Sequence, residues 1–256
     1  MADTCASTPK RRALHGTRQI VEFNWSRYLL AIIVAALSGW CATWVDNAMA
    51  RGLLVAAIVL PLWWTTASLL ASWWIYDASG LTNWKWLTRF VDTPRRCLNI
   101  HAGFDETTNE LSKVFPESSF HVLDIYDPTV TTERSIARAR DTGNARNAVQ
   151  ACMTDLPIPP DSHDAVFLLF AAHEVRADEK RVALFREVRR VLAPGGRLVL
   201  VEHLRDTPNF AAFGPGFWHF LSSRTWHQAG AQADLQLDAQ EAVNPFVAIY
   251  VWRKHS

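Results

Sequence analysis

Hydrophobic positions are distributed along this chain in two different ways. From Tyr28 to Val45 no charged residue occurs for 18 positions, and from Gly52 to Tyr76 none occurs for 25. At about 1.5 Å per helical residue each run reaches the roughly 30 Å of a hydrocarbon core, the first only just. The turn between them, Asp46–Arg51, is too short to hold a folded domain, so the two runs predict a helical hairpin.

From Arg95 onward the apolar runs are short and alternate with helix-like stretches. Cys97–Gly103, Asp164–Phe170 and Gly196–Val201 are rich in Leu, Val and Ile, and the third follows the helical stretch Glu179–Leu192 and the stop signal Pro194-Gly195-Gly196. This pattern predicts a parallel sheet with helices on both faces. Strands are expected at Cys97–His101, Phe120–Tyr126, Ala148–Met153, Ala165–Phe170, Arg197–Val201, Ala233–Leu237 and Phe246–Trp252, the last two as a hairpin. Helices are expected at Asp105–Phe115, Thr129–Thr142, Asp178–Leu192 and Phe217–Ala229. The predicted class is therefore α/β, a doubly wound, seven-stranded, mostly parallel sheet preceded by a two-helix transmembrane hairpin.

Four segments follow: a basic, disordered tail over 1–27, the hairpin over 28–76, a linker over 77–94 and the sheet domain over 95–256. In the linker Trp84, Trp86 and Phe90 interleave with Lys85 and Arg89, as in an amphipathic segment lying at lipid headgroups or in an ordinary first helix of the domain.

Composition sharpens the membrane reading. Seven of the twelve Trp lie between Trp25 and Trp74, the distribution of an aromatic belt. Lys10, Arg11, Arg12, Arg18 and Arg27 precede the first run, and Lys85, Arg89, Arg95 and Arg96 follow the second, which places both termini and the sheet domain on the cytoplasmic side of a cytoplasmic membrane. A hairpin buried in a soluble protein and a re-entrant dip into one leaflet are the competing readings, whereas a cleaved signal peptide fits poorly. The net charge of +1 gives no reason to expect nucleic acid, and the bilayer is the expected partner. Cys5, Cys41, Cys97 and Cys152 lack metal-ligand spacing and read as free thiols.

The stretches Leu156-Pro157-Ile158-Pro159-Pro160-Asp161-Ser162-His163-Asp164-Ala165-Val166 and Leu184–Leu200, with its Leu192-Ala193-Pro194-Gly195-Gly196-Arg197, resemble the fourth through fifth strands of class I S-adenosylmethionine-dependent methyltransferases. The likeness covers roughly residues 95–256 and is nearest the small-molecule and quinone C-methylating members. It implies S-adenosylmethionine as cofactor and a set of contact positions. Gly103 falls on the central glycine of the family's loop, His101 and Asp105 on its neighbours, and Asn99 on the preceding acid, so the glycine motif is degenerate. The ribose-binding carboxylate is Asp124 or Asp127, with Asp127 ranked first because Pro128 is expected to stop the strand. Cys152 or Met153 stands where the family often has an adenine-contacting acid, and Asp155 follows one or two positions late.

In the usual strand order of that family, His101, His173 and His203 end three neighbouring strands, accompanied by Glu174 and Glu202. In one reading His173 or His203 acts as general base, oriented by a carboxylate. In another, two or three of His101, His173 and His203 bind a divalent metal with Glu174 or Glu202. The absence of a local His-Glu-x-x-His motif puts the first ahead. Phe217, Trp218 and His219, near Phe213 and Phe220, are expected to form part of an acceptor pocket, whose apolar character beside a membrane implies a lipophilic small-molecule acceptor such as a quinone or lipid. Two alternatives stand beside methyl transfer: a non-catalytic interaction module, suggested by the degenerate loop, and a metal-dependent transfer of another group from the same cofactor.

Overall fold

The computed structural model describes residues 14–129, 134–141 and 148–255. A seven-stranded sheet runs in the order β3-β2-β1-β4-β5-β7-β6, from strands β1 (Arg96–His101), β2 (Ser119–Asp124), β3 (Val149–Gln150), β4 (His163–Leu169), β5 (Leu192–His203), β6 (Gln236–Asn244) and β7 (Val247–Arg253). β1 to β5 pair in parallel, β7 lies antiparallel to β5, and β6 returns against β7. The order reverses at β1, which has β2 on one side and β4 on the other, so the switch point falls where His101 ends its strand.

Alternation along the strands builds two cores. Leu98, Ile100, Val166, Leu168, Leu198, Leu200, Tyr250 and Trp252 face α5 (Asp178–Val191) and α7 (Ser223–Gln232), where Leu184, Phe185, Val188 and Trp226 meet them. Phe167, Val199, Val201, Ile249 and Val251 face the other way, towards Leu111 and Phe115 at α3 (Thr108–Val114) and towards a stretch from Ala71 to Val91.

That stretch differs from the expected linker. It consists of a π turn at Trp74–Ala78 and 3-10 turns at Leu81–Asn83 and Lys85–Arg89, and it buries Ile75, Leu81, Trp84, Leu87 and Val91 against the sheet. Fully burying an aliphatic or aromatic side chain contributes about 1.5–3 kcal/mol. Trp84 and Phe90 therefore belong to the core, with Trp86 half-buried at its rim.

The N-terminal helices are α1 (His15–Ala42) and α2 (Ala48–Trp73), both long and apolar enough to cross a membrane by length and composition. α1 begins 13 residues before Tyr28, so the expected disordered tail is helical from His15; residues 1–13, with Cys5, lie outside the described residues. Asn47 caps α2 by accepting from Ala50 N at 3.0 Å, and Arg51 closes the hairpin by donating to the Val45 carbonyl at 2.8 and 3.2 Å. At the other end Asp77 accepts from Gly16 N, Thr17 N and Thr17 Oγ1 at 2.8, 2.8 and 2.6 Å. The end of α2 thus caps the start of α1. Gly16 is needed there because a Cβ would lie 2.5 Å from that of Tyr76.

One further departure matters below, and one helix lies where it was expected. α6 (Thr207–Phe213), capped by Asp206, and a 3-10 turn at Gly214–His219 precede α7, where a single helix over Phe217–Ala229 was expected. α4 (Arg134–Asp141) lies within the expected helix over Thr129–Thr142, whose remaining residues are described only at Thr129. Cys41, Cys97 and Cys152 are free thiols.

Candidate active site

β4 ends in a 3-10 turn, Ala172–Glu174, that brings His173 and Glu174 to the carboxyl edge of the sheet beside the last residues of β5. Glu202 is wholly buried there. Its Oε1 accepts from His173 N at 3.1 Å and its Oε2 pairs with His173 Nδ1 at 2.7 Å. The other ring nitrogen, Nε2, stands 3.1 Å from Glu174 Oε1, and the same oxygen is 3.2 Å from His219 Nε2 at the end of the Gly214–His219 turn. Arg176 holds the two turns together by donating to the carbonyls of His173 and His219 at 3.1 and 2.5 Å.

Burial alone would favour neutral imidazole at His173, but Glu202 and Glu174 outweigh it and raise its pKa to about 10. Glu174 is correspondingly held well below the usual carboxylate range: its burial pushes upward, and its hydrogen bonds with His173 and His219 and their charges prevail. A histidine so placed keeps its proton at neutral pH. The geometry therefore does not favour His173 as a general base.

His203 has a different task from the one expected. Its Nδ1 donates to the Phe246 carbonyl at 2.9 Å, leaving Nε2 to accept from Tyr76 Oη at 2.8 Å. Burial pushes its pKa down to about 4, and its ring stacks on Phe220 with centroids 4.8 Å apart. Nε2 ties the sheet edge to the end of the helical hairpin, and Nδ1 ties it to the turn between β6 and β7.

His101 is 3 % exposed at the end of β1, with burial lowering its pKa, and neither ring nitrogen has a hydrogen-bond partner among the described residues. Its Nδ1 lies 3.7 Å from Asp124 Oδ1, beyond hydrogen-bond reach. The three strand-end histidines therefore do not form one cluster: His173 groups with Glu174 and His219, and neither His101 nor His203 takes part.

Around His101 the cofactor-contact positions separate into two kinds. Asn99 and Asp105 build the loop itself, because Asp105 Oδ1 accepts from Thr107 N and Thr108 N at 3.0 Å and from Asn99 Nδ2 at 3.3 Å. Asp127 caps a turn by accepting from Thr129 N and Oγ1 at 2.9 and 2.6 Å, and these bonds lower its pKa. Strand β2 ends before it, so the buried strand-end carboxylate is Asp124, which reverses the expected ranking. Met153 is buried just beyond β3, whereas Asp155 is exposed.

Gly103, with φ +101°, permits the chain to turn close under this site; a Cβ there would meet Ile136, Tyr126 and Arg140 at 2.9, 3.1 and 3.2 Å. Arg140 forms an ion pair with Asp124 and lies 4.4 Å over the Tyr126 ring. Gly103, the Asp124 carboxylate, the unpartnered His101 nitrogens and buried Met153 fit a nucleoside group carrying hydroxyls. Arg140 occupies one oxygen of the Asp124 carboxylate. Sequence order alone gave no sign of this pairing.

Between the sheet edge and the hairpin lies a cavity of about 1000 Å³. Tyr28, Leu60 and Trp64 of the hairpin and Phe170, Phe213 and Phe220 of the domain line it, and His173, Glu174 and His219 form its polar end. Trp218 reaches the wall with Arg205 5.4 Å over its ring, whereas Phe217 packs on Phe210 and lies outside the lining.

Residues 98–200 match the family described as a methyltransferase domain. Demethylmenaquinone methyltransferase of Thermus thermophilus is 32% identical over 135 residues, covering 51% of this chain and 58% of that protein. The ubiquinone/menaquinone biosynthesis C-methyltransferase UbiE of Vibrio vulnificus is 32% identical over 111 residues, covering 42% and 41%. The chain thus spans about half the length of these curated relatives. A SAM-dependent methyltransferase of Aquifex aeolicus, 17% identical, shares the fold with a TM-score of 0.52 over 74% of this chain and 97% of its own.

Proposed function

We propose that this chain, whose residues 98–200 match a methyltransferase domain, is a class I S-adenosylmethionine-dependent methyltransferase that methylates a lipophilic, membrane-associated acceptor of the quinol type entering the cavity between hairpin and sheet. One observation carries this reading. The cavity takes one wall from two helices of membrane-spanning length and the other from the carboxyl edge of the sheet, with Leu60, Trp64, Phe170, Phe213 and Phe220 among its apolar lining and His173, Glu174 and His219 at one polar end. The curated relatives, named for methylating quinone precursors, support the acceptor class.

S-adenosylmethionine supplies an electrophilic methyl group. Asp124 is the residue to receive its ribose hydroxyls, Gly103 the point of close backbone approach, and Met153 part of the apolar wall. The chain's own contribution is positioning and exclusion of water, which suffice for a transfer that needs little covalent assistance. Phe170, Phe213 and Phe220 hold an acceptor ring, and the ionised polar end orients its oxygen.

The membrane assignment completes the proposal: α1 and α2 form a transmembrane hairpin with both termini and the domain on the cytoplasmic side. The test is methyl transfer from labelled cofactor in proteoliposomes containing a demethylated menaquinol, compared with a water-soluble catechol. Labelled quinol recovered in the lipid phase is the expected result. Cofactor binding with no labelled lipid would refute the acceptor class, and no cofactor binding at millimolar concentration would favour a non-catalytic module. Impermeant thiol labelling of single cysteines placed near either terminus, in intact cells, checks the topology; labelling from outside would refute it.

A further inference from the structure

We propose that His173, Glu174 and His219 form a binding site for one first-row divalent transition-metal ion of the zinc type, with an open coordination position facing the cavity. One ligand atom from each of these residues lies within 4.8 Å of the others. Glu174 Oε1 is 3.1 Å from His173 Nε2 and 3.2 Å from His219 Nε2. Two donors bound tetrahedrally to one ion at about 2.0–2.1 Å stand roughly 3.3 Å apart. The pairs on Glu174 Oε1 are already near that spacing, so an ion enters with little movement, displacing the Nε2 proton that His173 carries when no ion is bound.

Three features make this a built arrangement. Glu202 engages Nδ1 of His173 and so directs Nε2 into the site, the carboxylate–histidine pairing that raises ligand basicity and fixes ring orientation. Arg176 joins the backbones of the two turns that carry the histidines. The Phe220 ring lies edge-on to His219, with centroids 6.2 Å apart, and flanks the site on its apolar side. Two imidazoles with one carboxylate suit zinc, iron or manganese, whereas calcium and magnesium favour all-oxygen sets.

Three protein ligands converge among the described residues, which leaves a position for water or for an oxygen of whatever occupies the cavity. A hydroxyl bound there would lose its proton more readily, because the ion stabilises the oxyanion. The inferred ligand class is thus a phenol, quinol or enol presenting an oxygen to the ion. The ion site itself stands on side-chain geometry and does not depend on methyl transfer; the role given to the open position rests on the acceptor reading above.

The test uses the full chain in detergent, stripped with chelator and titrated with Co²⁺. The expected result is a visible d–d spectrum of a low-coordinate site saturating at one ion per chain, displaced by Zn²⁺. X-ray absorption of the Zn²⁺ form should show two imidazoles and no sulfur. Glu174→Gln and His219→Ala should each weaken Co²⁺ binding at least tenfold, while His121→Ala, at the distant His121–His163 pair, leaves it unchanged. No d–d absorption in the wild type, a shell without two imidazoles, or full affinity in both variants would overturn the proposal. The wild-type spectra decide the matter even where a variant fails to fold. Methyl transfer persisting in protein stripped of metal would overturn the role of the open position and leave the methyltransferase reading intact; one bound ion without methyl transfer would keep the ion site and overturn the methyltransferase reading together with that role.

Discussion

Replacing Glu202 by Gln isolates the group that orients His173. The carboxylate has two acceptor oxygens in use, one on His173 N at 3.1 Å and one on His173 Nδ1 at 2.7 Å, and it is wholly buried. A glutamine offers one acceptor and one donor, so its amide cannot satisfy both N–H groups. Either one N–H is left unpaired, or His173 changes tautomer and carries its proton on Nε2, facing Glu174. The first outcome costs about 1–3 kcal/mol for the unsatisfied group. The second removes the lone pair that an ion needs. Glu202→Gln should therefore weaken Co²⁺ binding by about 10–100-fold, the usual effect of losing a carboxylate behind a ligating histidine. With chelator present, so that no ion contributes, a loss of about 2 kcal/mol should lower Tm by about 4–8 °C for a chain of this size. Intrinsic tryptophan fluorescence on heating the detergent-solubilised chain gives Tm, and Co²⁺ titration of the same sample gives the affinity. If the variant binds Co²⁺ as tightly as the wild type and melts within a degree of it, the orienting role of Glu202 is wrong.

Three further outcomes are expected. Arg140→Ala removes the cation that occupies Asp124, so S-adenosylhomocysteine should bind about tenfold more tightly by calorimetry, corresponding to about 1.4 kcal/mol of competing charge-assisted pairing; weaker binding would show instead that Arg140 supports the cofactor. Gly214 has φ +54° and lies under Trp64, whose ring atoms a Cβ would approach to 2.5 Å, so Gly214→Ala should cost about 2–4 kcal/mol from backbone strain and displaced packing; a variant as heat-stable as the wild type would contradict that. Burial and the neighbouring His121 and Arg96 charges lower His163 to about 4. Because this lies below the unfolded value of about 6.5, its contribution is present in full above pH 6.5 and is lost as pH falls towards 4. His163→Gln should accordingly flatten the acid limb of the Tm–pH curve by about 2 kcal/mol at pH 4.5, and an unchanged limb would remove His163 as its cause.

The sheet was legible because strands buried on both faces write themselves as runs such as Ala165–Leu169, with adjacent residues in opposite cores. Glu174 and Glu202 could be named from strand ends. Their grouping could not, since His219 meets Glu174 across 45 residues and Tyr76 meets His203 across 127. The segment from Asp77 to Pro94 stays open in the sequence for a physical reason: aromatics spaced among basic residues suit a lipid headgroup layer and a sheet face with an exposed rim equally well, and the structure shows the second of these contacts at Leu81, Trp84 and Leu87. Pro128 in the sequence points to an end of β2 near Asp127. The strand stops earlier, where the Ile125 amide donates to the His101 carbonyl at 2.9 Å.

The joint between the hairpin and the domain bears on how freely the two could be recombined. A membrane anchor that merely tethers is interchangeable: another pair of helices on a linker of similar length would serve. Here Asp77 caps α1, Tyr76 holds His203, Trp64 covers Gly214, and the segment beyond α2 forms the layer over one side of the sheet. A foreign anchor would leave the cavity without one wall and His203 without its partner, and a cut at residue 95 would strip the sheet of Ile75, Leu81, Trp84 and Leu87. Hairpin and sheet are one inheritable unit, and chimaeras of this protein will keep their fold only when the crossover falls outside residues 15–255.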